Sequence, residues 1–84
     1  MIREVDFMIT VKVLIDSVEK VKRFSSVVSK IGADCELVEG VHIIDAKSIM
    51  GIFSLNLKKP IQLDIHTDNK EVLEKLKDFI VADI

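Results

Sequence analysis

The sequence predicts an α+β fold, an open-faced sandwich of β-α-β-β-α-β-α order in which three helices cover one face of a four-stranded antiparallel sheet. Three observations carry this. Apolar residues alternate with period two near the start of the chain and again just after its only proline, Pro60. Two short apolar runs flank Glu39-Gly40, and three other segments repeat apolar residues at helical spacing. The alternating runs place polar side chains at every second position, so one face of the sheet stays wet.

From Arg3 to Val13, the residues Val5, Phe7, Ile9, Val11 and Val13 alternate with Asp6, Met8, Thr10 and Lys12 and predict the first strand. Asp16 or Ser17 can cap a helix, with Glu19 three residues after Asp16 as in a capping box. Val21, Phe24, Val28 and Ile31 would form the buried stripe of that helix, and Gly32 would end it. Cys35 to Val38 and Val41 to Ile44 read as strands of a hairpin with a tight turn at Glu39-Gly40. A short helix is expected from Ser48 to Leu57, stopped by Pro60. Ile61, Leu63 and Ile65 alternate with Gln62, Asp64 and His66, giving a fourth strand. The last segment, about Lys70 to Ala82, sets Val72, Leu73, Leu76, Phe79 and Ile80 on one helical face and predicts a third helix.

At 84 residues the chain is expected to be one domain, 1–84, with a single modest core. Apolar residues at 49% and charged residues at 31% exclude a disordered or fibrous class. A net charge of -2 offers no basic field, so neither nucleic acid nor an anionic membrane surface is an expected partner. The lone Cys35 excludes an internal disulfide, no Cys/His cluster has the spacing of a zinc site, and no cofactor is expected. Met1-Ile2-Arg3-Glu4-Val5-Asp6 lacks the apolar run of a signal peptide, and a cytoplasmic location is expected.

Ser48 stands where a helix cap is expected, followed by the large apolar residues Ile49, Met50 and Phe53. A hydroxyl there accepts hydrogen bonds from amides one turn on. The whole segment Asp45-Ala46-Lys47-Ser48-Ile49-Met50-Gly51-Ile52-Phe53-Ser54-Leu55 resembles the regulatory-serine segment of HPr, the small phosphocarrier of the bacterial sugar phosphotransferase system (PTS). The element order is also that of the HPr fold, and the resemblance covers nearly the whole chain. The loop Thr67-Asp68-Asn69-Lys70 looks a few residues shorter than in that family.

The family takes up phosphate on a histidine at the start of the first helix, helped by a nearby arginine. Counted back without gaps from Ser48, the histidine position is Ser17, with Glu19 at the arginine and Lys20 at a following proline. A serine hydroxyl without a positioned base is a poor nucleophile, and its phosphate ester lacks the transfer potential of a phosphohistidine. Glu19 sets an anion near any incoming phosphate, costing roughly 1 kcal/mol at water-like screening. His42 and His66, the two histidines present, fall in strands or turns away from that helix start.

The resemblance therefore implies a non-enzymatic, HPr-like regulator of the kind that serves carbon catabolite repression without a carrier histidine. It implies phosphorylation at Ser48 by an HPr kinase/phosphorylase. It also implies docking of a transcription regulator or metabolic enzyme through Lys47, Ile49, Met50, Gly51 and Phe53, with a homodimer also open. Two alternatives stand beside it: a working phosphocarrier with an atypical acceptor, His42 or His66, and a scaffold that binds a fixed partner with no phosphorylation. Lys58-Lys59 reads as a solvated turn and Cys35 as a core residue.

Overall fold

The computed structural model describes residues 7–83. Its elements run β1 (Ile9–Val13), α1 (Val18–Ser29), β2 (Cys35–Glu39), β3 (His42–Asp45), α2 (Ile49–Phe53), β4 (Ile61–Ile65), α3 (Glu71–Lys75) and β5 (Ile80–Asp83). The sheet is antiparallel throughout and five-stranded, in the order β3-β2-β4-β1-β5.

Period-two alternation sorts the faces. Val11, Val13, Leu37, Leu63 and Ile65 are buried against the helices. They join Val21, Phe24 and Val28 of α1, Ile52 of α2 and Val72 of α3 in one core. Phe24 and Phe79 meet edge to face with centroids 5.4 Å apart, a geometry that adds to their area burial. Thr10, Lys12, Gln62, Asp64, Glu36 and Ile43 occupy the other face, as the strand registers require. Asp64 is nevertheless only 8% exposed, because the side chains of Thr10 and Gln62 both donate to its Oδ1, each at 3.0 Å.

The largest departure from expectation is at the end of the chain. Instead of a helix from Lys70 to Ala82, α3 stops at Lys75, a turn follows, and Ile80–Asp83 add a fifth strand to the free side of β1. Val72, Leu76 and Phe79 still go inside, so the apolar stripe was a sound reading of burial but not of backbone. Two things favour the strand: the β-branched pair Ile80-Val81 suits a pleat, and β1 would otherwise present unpaired backbone groups at an edge. The Leu14 amide donates to the Phe79 carbonyl at 2.9 Å and starts that pairing.

Smaller corrections concern element bounds. β1 begins at Ile9, Phe7 is 55% exposed, and Val5 lies outside the described residues. α1 ends at Ser29 with Lys30 as cap, ahead of Gly32. α2 covers Ile49–Phe53 and not the span to Leu57, because the Ser54 and Leu55 amides bond back only three residues, to Gly51 and Ile52. The β2-β3 turn is Gly40-Val41, since Glu39 pairs with His42. Gly40 has φ +61, the left-handed value that a two-residue hairpin demands and that a side chain resists.

Candidate functional site

Ser17 is the N-cap of α1: its backbone is extended and its hydroxyl accepts from the Lys20 amide at 3.1 Å. Glu19 lies in the first turn, where an anion complements the positive helix end. The Lys20 ammonium reaches back to Asp16 Oδ1 at 3.2 Å, so this cation is already engaged, in an exposed pair worth little to stability.

The start of α2 is held by a run of short hydrogen bonds. Asp45 Oδ1 accepts from the Lys47 amide at 2.9 Å, and the Asp45 carbonyl accepts from the Ser48 amide at 3.0 Å. The buried Ser25 hydroxyl of α1 donates to the Lys47 carbonyl at 3.3 Å and fixes the two helices together. Ser48 is then the N-cap of α2, accepting from the Gly51 amide at 3.1 Å. Its neighbours Ile49, Met50 and Phe53 are 41%, 84% and 43% exposed, whereas Ile52 and Leu55 are buried. Gly51 has an internal reason to be glycine: a Cβ there would lie 2.5 Å from Cγ2 of Ile44 on β3.

Between the start of α1, the far end of α2 and the loop that follows it runs a groove of about 350 Å³, lined by Asp16, Ser17, Val18, Phe53, Leu55, Asn56, Leu57 and Lys58. Val18 and Phe53 form its exposed apolar walls. The fold thus brings the Ser17 region and the Phe53 end of α2 to one groove. Sequence reasoning missed Leu57, Asn56 and Lys58 as its third wall, because they become neighbours of Ser17 only through the packing of α2.

Neither histidine lines the groove. His42 is exposed at the tip of the β2-β3 hairpin, opposite Glu39. His66 follows the last residue of β4, at the end of that strand remote from the loop that lines the groove. Its Nε2 meets Glu36 Oε1 at 3.0 Å, and this hydrogen bond raises its pKa from the ordinary histidine value. His66 and Glu36 border a second, polar hollow of about 450 Å³ together with Asp34, Cys35, Ile43, Asp45 and Lys47. The Cys35 thiol is pushed up to about 11 by burial, against a weaker opposing pull from Lys47, so it is no nucleophile at neutral pH. Among the described residues no cluster of His, Cys, Asp and Glu is arranged to hold a metal ion. No helix among them is long and apolar enough to cross a membrane.

Fold and groove define the class: an open-faced α+β sandwich whose candidate site lies between the entrance of its first helix and the second helix. Residues 17–82 match the family described as "PTS HPr component phosphorylation site", and the chain belongs to that HPr family of the phosphotransferase system. A solved relative in fold is "Crystal structure of HPr-C-His from Thermoanaerobacter tengcongensis". The two share 23% identity and superpose with a TM-score of 0.68 over 86% of this chain and 88% of that one, a likeness that speaks for the fold. No curated protein sequence matches this chain.

Proposed function

We propose that this chain is a regulatory, non-enzymatic member of the HPr family that lacks the phosphocarrier histidine and acts by binding protein partners under control of phosphorylation at Ser48. The observation that carries the reading is the groove at the entrance of α1: Ser17 occupies its head and no imidazole stands among its walls. Phosphoryl transfer at that place needs a nucleophile with a base beside it, and Ser17 instead spends its oxygen as a cap.

Ser48 supports the second half of the reading. It is exposed, it precedes the apolar set Ile49, Met50 and Phe53, and Lys47 stands before it. A phosphate there would add about two negative charges beside an apolar docking face, favouring a basic partner and repelling an acidic one. The partners expected are an HPr kinase/phosphorylase and a transcription regulator or metabolic enzyme. A cytoplasmic location goes with those partners.

Intact mass after incubation with ATP and an HPr kinase tests this. A single phosphate on the wild type and none on Ser48→Ala is expected. Failure of the wild type to gain mass removes the regulatory half of the proposal. Phosphoenolpyruvate with the upstream PTS enzyme is the second arm: an acid-labile phosphate on His42 or His66 would make the chain a working carrier instead.

A further inference from the structure

The two edges of the sheet are treated differently. At the β5 edge the register with β1 shifts between Lys12 and Val13, leaving Val81 as an extra residue, a bulge of the kind that blunts an edge against pairing. The β3 edge has no such device. Its register with β2 is unbroken from Glu36↔Asp45 to Glu39↔His42, and it carries no lysine or proline. Val41 and Ile43 are 91% and 63% exposed along it.

The backbone groups that this edge offers can be deduced. The Ala46 amide donates to the Cys35 carbonyl at 3.0 Å, which makes Cys35 and Ala46 a hydrogen-bonded pair. Such pairs alternate along an antiparallel ladder. Leu37↔Ile44 and Glu39↔His42 are therefore bonded, while Val38↔Ile43 and Glu36↔Asp45 are not. The N–H and C=O of Ile43 and the N–H of Asp45 consequently point away from β2, toward solvent. No described strand lies beyond them.

We propose that this edge joins two copies of the chain, β3 against β3′ about a two-fold axis at Ile43, giving one continuous ten-stranded sheet. Pairing Ile43 with Ile43′ lets each donate to the other's carbonyl, and sets Asp45 N–H opposite the Val41′ carbonyl. It also lines up Val38, Ile43, Ile43′ and Val38′ as one apolar stripe on the helix-free face. Charge opposes sliding toward Asp45: one step sets Ile43 opposite Asp45′, and two steps set Asp45 opposite Asp45′, where like charges meet. Sliding the other way sets Ile43 opposite Val41′, which brings the pairing into the Gly40-Val41 turn and leaves the Asp45 N–H without a strand partner. In the chosen register the two Asp45 side chains are roughly 13 Å apart along the strands, beyond the screening length of about 8 Å at physiological ionic strength.

Sedimentation over about 10 μM to 1 mM, the range where a small interface dissociates, should show a monomer–dimer equilibrium. Ile43→Lys should weaken it by about tenfold or more through a like-charge pair at the axis, with unchanged circular dichroism. Val81→Lys at the opposite edge should leave it intact. Under mild oxidation Ile43→Cys should give a dimer disulfide-linked at position 43, and Asp45→Cys should not. A chain monomeric throughout, a dimer indifferent to Ile43→Lys, or preferential linking through Asp45→Cys would each overturn the proposal.

Discussion

Gly51→Ala is the substitution that best tests how α2 is seated. In a helix interior alanine is favoured over glycine by about 1 kcal/mol, so propensity alone predicts stabilisation. The structure predicts the opposite sign. The new methyl would sit 2.5 Å from Ile44 Cγ2 and 3.2 Å from Ser48 Oγ, whereas carbon atoms normally approach to about 3.5–4.0 Å. Ile44 is β-branched and packed against the core, so its Cγ2 cannot swing clear without moving β3. Overpacking of this kind costs about 1–3 kcal/mol, and the net result should be a loss of about 1 kcal/mol, or about 4–8 °C in Tm for a domain of this size. Urea and thermal unfolding of the wild type, Gly51→Ala, Ile44→Ala and the double variant form a cycle. In the Ile44→Ala background the obstructing methyl is gone, and Gly51→Ala should become neutral or stabilising. A Gly51→Ala variant more stable than wild type by about 1 kcal/mol would refute the seating of α2 on β3.

Ser48→Ala should cost about 1 kcal/mol through the lost cap, whereas Ser48→Asp, which can still accept from the Gly51 amide, should stay near the wild type by urea unfolding. For His66, the folded-state pKa is raised by Glu36, so its contribution is fully present below the unfolded value of about 6.5 and is lost as pH rises through the folded one. The pair is more than a third exposed, which limits the effect to a few tenths of a kcal/mol. Wild type minus His66→Gln, measured at acid and alkaline ends of the 5–8 range, should show that difference shrinking with pH, and one growing with pH would contradict the pairing. Cys35 should react with a thiol reagent at pH 8 roughly a hundredfold or more slower in the native protein than in urea, and rapid native reaction would place it outside the core.

Much of the fold was legible because burial follows period. Val21, Phe24, Val28 and Ile31 are the stripe expected of the first helix, and all four are buried, Ile31 from just beyond the end of α1. Ile49, Met50 and Phe53 are expected on an outward docking face, and all three are exposed. The end of the chain was not legible, since Val72, Leu76, Phe79 and Ile80 fit a helical stripe equally well. What decides between helix and strand there is an unfilled edge on β1, a fact about residues some seventy positions earlier. The groove was hidden for a similar reason: Ser17 and Ser48 could be singled out as caps, but the wall made by Asn56, Leu57 and Lys58 exists only once α2 has packed.

The entrance of α1 bears on the proposed absence of carrier chemistry through more than the identity of residue 17. A helix start that receives phosphate must keep amides and a cation free for it. Here the Lys20 amide is taken by Ser17, the Lys20 ammonium by Asp16, and Glu19 adds a further anion to the same turn. Each of these stabilises α1 as it stands, by cap, ion pair and dipole, and each makes an arriving phosphoryl group less welcome. Restoring a histidine at position 17 alone would therefore remove a cap while leaving Asp16 and Glu19 in place. Ser17→His should lower stability by about 1 kcal/mol without gaining phosphate from the upstream enzyme, and appreciable labelling of that single variant would show the entrance to be more permissive than its charges imply.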